Sequence, residues 1–477
     1  MYWREKRMRL VGGLSFSVIV SFVFCSTLRG KTTIWRRGWH FHFLGICLGL
    51  ASLMGTESCG NAAATNAPVV VLSLAEAKQV AFERNWDLLS AKSGIDAASA
   101  QLIVAKEFPN PTASVSLANF ATHNIATIEG NGIWQRSYDT IFAVSQLIEI
   151  GGKRHDRQAA ARAGTKGAKA RFYDAKRTLD QGVTKAYVAA LLAEYNEKVL
   201  GESTRFMKRE EDIAQSRFSA GDLSDSDLKQ IQIGAEQFAL QEAAAHAATV
   251  QAKIQVEVLM GFRQPKGNWT PTDTLERMDA VVPPLPQATA GAARPDVLAA
   301  EADLHAGQFN LKLQKAVRIP DPTVSFQYEH NPVPPGPPPD DTFGIGVSFP
   351  LPLWNLNGGN IKAAQAAVDQ FELALGKVRA QNAADVANAQ VEYREAFDRL
   401  QRYQGLIVPQ SAKSRAAVSF AFEKGSATLV DLLEAERTDN SVRMALAQAQ
   451  SDTASAVADV LAAQMVLPES ELESNKR

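Results

Sequence analysis

The sequence predicts a mainly α-helical protein in which long antiparallel helices alternate with two pairs of short β-strands. Three observations support this fold class. The chain repeats its own pattern once, each repeat contains a long segment suited to a very long helix, and each repeat contains two segments with strand-like alternation. The chain has 477 residues and a formal net charge of -1, so it lacks the excess of basic residues expected of a nucleic-acid-binding protein.

Residues 1–64 are predicted to be a leader that directs the chain across the inner membrane. Two units follow one another, each a basic cluster and then an apolar run, and Ala62-Ala63-Ala64 offers a cleavage site. Lipid attachment at Cys59 is an alternative, although the residues before it match a lipid-attachment motif poorly. An uncleaved anchor in the inner membrane is a third alternative. Because the cysteines all lie in the first 59 residues, no disulfide or cysteine-based metal site is expected in the rest of the chain.

The rest of the chain is predicted to be a tandem duplication. Gly151 corresponds to Gly358, and Gly221 corresponds to Gly425, with a slowly drifting offset. Two longer motifs recur in the same order: EFPNPTASVSLANF at 107–120 with RIPDPTVSFQYEHN at 318–331, and RFSAGDLSDSDL at 217–228 with AFEKGSATLVDL at 421–432.

The duplication divides the chain after the leader into four predicted parts. They are repeat one at 65–262, a proline-rich irregular connector at 263–295, repeat two at 296–467 and a polar tail at 468–477.

Each repeat is predicted to contain one helix, two strands and then two long helices. In repeat one, the first helix extends from about Leu74 to Phe108, where FPNP ends it because proline cannot continue a helix. A segment without proline extends from about Lys153 to Phe218, which at about 1.5 Å per residue reaches roughly 95 Å. Its apolar residues have the 4-3-4-3 spacing of a coiled-coil seam: Leu179, Val183, Ala186, Ala190 and Ala193.

The predicted strands each have one apolar face and one small or polar face. The apolar faces contain Ala113, Val115 and Leu117 in repeat one, and Val324, Phe326, Tyr328, Phe343, Ile345, Val347 and Phe349 in repeat two. Tilted strands of about nine to eleven residues can cross a bilayer. Four strands cannot close a barrel alone, because about eight are the usual minimum. The sheet is therefore either a small soluble one or part of a barrel shared by several chains, and three chains would supply twelve strands.

Several motifs together resemble those of a known family. LSLAEAKQVAFERNWDL opens repeat one, FPNPT and IPDPT precede the strands, and SQLIEIGGKR and FPLPLWNLNGG follow them. With the FSAGDLSDSDL and FEKGSATLVDLLEAER turns, these motifs make the region from about 70 to 467 resemble the TolC-type outer-membrane efflux family. The SQLIEIGGKR and FPLPLWNLNGG pair is most similar to its CzcC-like heavy-metal efflux branch.

This resemblance implies a homotrimer with a shared 12-stranded transmembrane β-barrel and a long coiled-coil helical tunnel in the periplasm. The implied partners are a periplasmic adaptor protein, an inner-membrane pump and outer-membrane lipid. The implied function is passive export of small solutes, with heavy-metal cations favoured and drugs or other small molecules as the alternative. A soluble periplasmic coiled-coil scaffold is the competing interpretation, but it does not explain strands of bilayer length.

No catalytic site, cofactor or metal site is predicted, so the chain is not expected to be an enzyme. The histidines after the leader are scattered, and no two of them have metal-ligand spacing: His123, His155, His246, His305 and His330.

Candidate functional residues lie at the two turns that reverse the long helices. The resemblance implies that these turns meet the adaptor, through Arg217, Phe218, Gly221 and Leu223 in repeat one and Phe422, Lys424 and Gly425 in repeat two. Asp222 or Asp225 would form a ring of carboxylates in a trimer and attract cations. The alternative is that Asp222 caps the following helix and the other carboxylates are solvated. Asp227 and Asp431 occupy equivalent positions, which predicts a shared structural role in the turn.

The ends of the strands are predicted to be junctions between the barrel and the tunnel. In repeat two, Pro350 and Pro352 end the sheet pairing, and Trp354 is an aromatic of the kind found at membrane interfaces. Gly358 and Gly359 are expected to permit the bend into a helix that begins near Asn360. Repeat one is expected to make the same transition at Gly151 and Gly152, without prolines or tryptophan.

Overall fold

A computed structural model describes residues 70–118, 138–278, 293–331 and 341–467. The leader, including Cys59 and the expected cleavage site near Ala64, lies outside the described residues. The polar tail at 468–477 and His123 also lie outside them.

In both repeats a helical segment is followed by two strands and a long hairpin, and repeat one has an additional short strand at its start. Repeat one contains β1 (Val70–Leu72), α1 (Leu74–Arg84), α2 (Trp86–Lys106), β2 (Thr112–Ala118), β3 (Asp139–Leu147), α3 (Lys153–Ser219) and α4 (Asp225–Leu259). The connector contributes β4 (Trp269–Pro271) and a short 3-10 turn (Leu275–Arg277). Repeat two contains α5 (Pro295–Ala316), β5 (Thr323–His330), β6 (Asp341–Ser348), α6 (Gly358–Arg402), a π-helical turn (Tyr403–Ile407), α7 (Val408–Glu423) and α8 (Leu429–Gln464).

The first predicted helix is two helices, because Asn85 interrupts it. The backbone of Asn85 is extended, and its side-chain oxygen accepts hydrogen bonds from the N–H groups of Asp87 and Leu88, which caps α2. Its side-chain amide donates to the carbonyl oxygen of Leu259 at 2.9 Å, at the end of α4. The break therefore fixes the start of repeat one against the end of its long hairpin.

The long helices form two antiparallel hairpins. At 67 residues α3 extends about 100 Å, and it packs against α4, α5 and α8. Of the predicted seam, Leu179, Val183 and Ala190 are buried, while Ala186 and Ala193 are partly buried. Among the helices in the described ranges, none combines the length and the apolar character needed to cross a membrane.

The four longer strands form one antiparallel sheet in the order β2-β3-β5-β6. Its register aligns Val115, Phe142, Tyr328 and Phe343 across the sheet, and it aligns Ala113, Val144, Phe326 and Ile345 in the next row of that face. The opposite face carries small and polar residues such as Ser325 and Gly346. This pairing confirms the predicted alternation and puts the paired apolar residues predicted for both repeats on one face, whereas Ile141 and Leu147 of β3 lie on the opposite face.

The largest core cluster lies where the middle of α3 meets α1, the end of α4 and the connector. Tyr187 is fully buried and stacks on Trp269, with ring centroids 5.6 Å apart. The Tyr187 hydroxyl donates to the Leu72 carbonyl oxygen at 2.8 Å. The connector was predicted to be irregular, but β4 pairs in parallel with β1, and both Trp269 and Leu275 belong to this core.

Candidate functional site

The turns at the ends of the two hairpins have the same backbone geometry. In the first, the N–H groups of Gly221 and Asp222 donate to the carbonyl oxygens of Phe218 and Arg217. In the second, Gly425 and Ser426 donate in the same way to Phe422 and Ala421. Gly221 and Gly425 have φ values of 85° and 75°, in the left-handed region where glycine is favoured. Both turns are therefore Schellman motifs.

The helix that follows each turn is capped by a hydroxyl and an aspartate. The Ser224 hydroxyl oxygen accepts from the Asp227 N–H at 3.1 Å, and the Thr428 hydroxyl oxygen accepts from the Asp431 N–H at 3.2 Å. Each hydroxyl in turn donates to the carboxylate of the same aspartate. Asp227 and Asp431 thus have the same structural role in the two repeats. The hydrogen bonds that the Thr428 hydroxyl and backbone N–H donate to its carboxylate lower the pKa of Asp431.

The cap assignment considered for Asp222 is wrong, because Ser224 is the N-cap of α4. Asp222 is exposed, and no hydrogen bond or ion pair of its carboxylate is found among the described residues. Asp225 differs, because its carboxylate pairs with Lys229 at 2.6 Å on the helix surface. Of the three aspartates at this turn, Asp225 contacts Lys229 and Asp227 contacts Ser224, whereas the Asp222 carboxylate has no side-chain partner among the described residues.

A cavity of about 330 Å³ lies between the two turns. Its lining includes Arg217 and Leu223 of the first hairpin and Phe422 of the second, so three of the predicted docking residues share one site. Glu210 also lines it, and burial together with the Glu423 carboxylate raises the pKa of Glu210 above its usual value. The site combines an apolar wall with a carboxylate that is disfavoured as an anion.

The junction in repeat one is a left-handed turn held by ion pairs. Gly151 and Gly152 have φ values of 74° and 77°, and α3 begins directly after them. The Lys153 ammonium lies 2.8 Å from the Asp321 carboxylate, which also accepts from the Ile150 N–H at 2.9 Å. This contact joins the strand ends of the two repeats, and no local sequence pattern indicates it.

A second ion pair at this junction joins Glu149 and Arg157. The Arg157 guanidinium forms a fork with both carboxylate oxygens of Glu149, at 2.5 and 3.0 Å, and it also donates to the Glu107 carbonyl oxygen. Glu149 and Arg157 belong to the IEIGGKR segment and the residues that follow it, so the motif ties the strand end to the first turns of α3.

The junction in repeat two differs from the prediction at its bend. The left-handed residue is Asn357, with φ 57°, whereas Gly358 and Gly359 are the first residues of α6. Asn357 holds this conformation through its side-chain amide, which donates to the Gln314 carbonyl oxygen at 2.8 Å. Sheet pairing ends at Ser348, before Pro350 and Pro352, and Trp354 is 93% exposed.

The described residues contain no group of three or more His, Cys, Asp or Glu side chains placed to hold a metal ion.

The architecture of long helical hairpins joined to a four-stranded sheet is shared with solved outer-membrane channels. CusC superposes with a TM-score of 0.68 at 16% identity, covering 83% of this chain and 92% of that chain. The CmeC outer membrane channel of Campylobacter jejuni gives 0.64 at 18% identity, covering 82% and 85%. The fold of this chain is thus the fold of these proteins.

Comparison of the sequence with known protein families shows the family to which the chain belongs. The model of the outer membrane efflux protein family matches residues 78–262 and 288–463, one segment in each repeat. The chain is also 25% identical over 381 residues to the cobalt-zinc-cadmium resistance protein CzcC of Cupriavidus metallidurans, covering 77% of this chain and 84% of that protein. The chain belongs to the outer membrane efflux protein family and is an outer-membrane protein.

Proposed function

We propose that this protein is the outer-membrane conduit of a tripartite efflux system and that it passively exports heavy-metal cations. The main support is its similarity to the cobalt-zinc-cadmium resistance protein CzcC along most of both chains. Export of drugs or other small molecules through the same conduit is the alternative. Membership of an outer-membrane family disfavours the soluble scaffold.

Three copies of the chain would complete the membrane-spanning part. In the described residues, β2 and β6 are the edges of a four-stranded sheet, and each pairs on one side only. Unpaired edges cannot lie in lipid, and four strands are too few to close a barrel. A homotrimer would supply twelve strands, with the apolar face that includes Phe326 and Ile345 towards lipid. The hairpins would continue the conduit into the periplasm.

The hairpin turns are proposed as the periplasmic entrance. A threefold ring of Asp222 would attract cations, because this carboxylate is exposed and without a partner among the described side chains. The cavity between Arg217, Leu223 and Phe422 would receive side chains of the periplasmic adaptor. Energy would come from an inner-membrane pump, and binding along the conduit would be weak, because a transported solute has to leave.

Conductance in planar lipid bilayers tests the proposal. The purified protein is expected to form pores that prefer cations, and Asp222→Asn is expected to reduce that preference. Asp225→Asn is the matched control, because Lys229 already neutralises that carboxylate. A protein that forms no pore would contradict the conduit, and equal effects of the two substitutions would contradict the ring.

The substrate class needs a separate experiment. A strain that lacks the gene is expected to become sensitive to zinc, cobalt or cadmium, and a plasmid-borne copy of the gene should restore resistance. Sensitivity to drugs alone, with metal resistance unchanged, would replace the metal assignment by the alternative.

A further inference from the structure

The apolar stripe of the last strand continues past the end of the sheet. Phe343, Ile345 and Val347 are exposed on the apolar face of β6, and every second residue after them is again large, apolar and exposed. These following residues are Phe349, Leu351 and Leu353. Sheet pairing stops at Ser348, so the stripe extends into a segment, residues 349–356, that has no ladder partner.

We propose that residues 349–356 are a lipid-inserted extension of the barrel, in contact with phospholipid acyl chains of the periplasmic leaflet. This inference rests on the proposed function, because it takes the apolar face of the sheet to be the one that meets lipid. The segment reads FPLPLWNL and contains no charged residue. From Phe349 to Trp354 its side chains are all apolar or aromatic, and the first polar residue is Asn355, so lipid is suited to this part of the segment as it is to the apolar face of the sheet.

The exposed apolar surface of β6 continues beyond the ladder. From Phe343 to Val347 the paired stripe rises about 13 Å along the strand. The chain then bends, because the Leu353 N–H donates to the carbonyl oxygen of Leu351, two residues before it. Residues 349–356 therefore do not lengthen the strand; they add exposed apolar side chains next to the end of the sheet.

The segment is held in shape although it is outside the sheet. Pro350 and Pro352 fix two of its φ angles, and the Leu353 N–H donates to the Leu351 carbonyl oxygen at 2.9 Å. At its far end, the Arg318 Nε–H donates to the Leu356 carbonyl oxygen at 3.1 Å. An apolar segment with a fixed shape loses little conformational entropy when it enters lipid.

Repeat one has no comparable extension. Its junction exposes Ile148 and Ile150 and then turns at Gly151, and the nearby Phe108 ring is covered by the Arg154 guanidinium at 3.8 Å. The two repeats thus meet the membrane surface differently. In a trimer, the extension would occur three times around the barrel, alternating with the shorter junction.

Fluorescence quenching in reconstituted vesicles tests this contact. The native cysteines of the full chain are changed to serine, and a fluorophore is attached to one introduced cysteine at a time. Leu353→Cys is the probe, and Leu373→Cys in α6 is the matched control, because both leucines are similarly exposed, at 67% and 75%. Ile345→Cys on the paired part of β6 reports on membrane insertion itself. The quencher is a nitroxide carried near the carbonyl end of the phospholipid acyl chain.

We expect quenching at Leu353 at least half as strong as at Ile345, and none above background at Leu373. Quenching at Ile345 without quenching at Leu353 would overturn the extension and leave the proposed conduit intact. Quenching at neither position would contradict the lipid-facing sheet as well. If Leu353 is shielded from both the lipid quencher and aqueous iodide, a second protein surface covers the segment, and the inference is wrong.

Discussion

The ion pair between Lys153 and Asp321 is expected to be the strongest single side-chain link between the strand ends of the two repeats. Lys153→Met removes the charge and keeps most of the chain length of the side chain. The ion-pair side chains are 8% and 18% exposed, so the variant leaves a largely buried carboxylate without its counter-ion. The Lys153 ammonium also donates to the Ile319 carbonyl oxygen at 2.5 Å, and this bond is lost as well.

The magnitude follows from the burial of the remaining carboxylate. Removing one partner of a fully buried pair costs about 3–5 kcal/mol. Asp321 keeps the Ile150 N–H and some contact with solvent, so we expect a loss of about 2–4 kcal/mol in the free energy of unfolding. The double variant Lys153→Met with Asp321→Asn should recover part of this loss, because the asparagine oxygen still accepts from Ile150 and no charge is buried.

Thermal unfolding of the detergent-solubilised protein, followed by helical circular dichroism, measures this effect. Lys362→Met is the control, because that lysine is exposed near the start of α6 and has no ion pair among the described residues. If Lys153→Met unfolds at the same temperature as Lys362→Met, the buried ion pair does not contribute to stability. A double variant less stable than Lys153→Met alone would show that the unpaired carboxylate is not the source of the loss.

Two further variants probe the backbone and the turn cavity. Gly261→Ala should lower the free energy of unfolding by several kcal/mol, because φ is 80° and the new Cβ would clash with the Arg84 backbone. Gly221→Ala should lower it by only about 1 kcal/mol, because the space around that residue is open. Equal unfolding temperatures of the two variants would contradict this difference. Glu210→Gln should stabilise the protein more at pH 7 than at pH 4. Burial and Glu423 raise the folded-state pKa of Glu210, so wild-type stability falls as the pH rises from the unfolded pKa through the folded one. Unfolding midpoints at both pH values measure the difference, and a gain independent of pH would count against it.

The features that were predictable from sequence are those set by local pattern. The strand faces follow from period-two alternation, which cannot be shifted by one residue without reversing every side chain. The hairpin turns follow from Gly221 and Gly425, since a Schellman turn needs a residue at positive φ and glycine is the usual choice. The shared cap of Asp227 and Asp431 follows from the duplication alone.

The features that were not predictable depend on contacts between distant residues. The break at Asn85 is stabilised by a carbonyl group of α4, and nothing local in the helical pattern requires it. The sequence predicts the bend at Gly358 and Gly359, but it lies at Asn357. The contact that stabilises Asn357 at positive φ is a hydrogen bond from its side-chain amide to Gln314, which is distant in sequence. The Lys153–Asp321 pair likewise joins residues that are separated in sequence by the long hairpin of repeat one, the connector and the first helix of repeat two.

The two hairpins also differ along their length, and this difference bears on how they bend. In repeat one α3 is uninterrupted, but the matching helix of repeat two contains a π-helical turn at Tyr403–Ile407, followed by Pro409. Proline has no N–H to donate to the Gly405 carbonyl oxygen, so regular α-helical bonding fails at this point. After the π-helical turn, α7 packs against α8. Bending of the second hairpin is therefore expected to concentrate at the π-helical turn itself.

Hydrogen exchange tests this asymmetry. Amides of Tyr403–Ile407 should exchange faster than amides in the middle of α3, since the π-helical turn departs from the regular α-helical bonding that continues through α3. Pro409→Ala restores a donor, so it should slow exchange across the turn while leaving α3 unchanged. Equal exchange rates in the wild type and the variant would mean that packing of α7 on α8, and not the proline, sets the local stability, and the bend would then belong to the interface between these two helices.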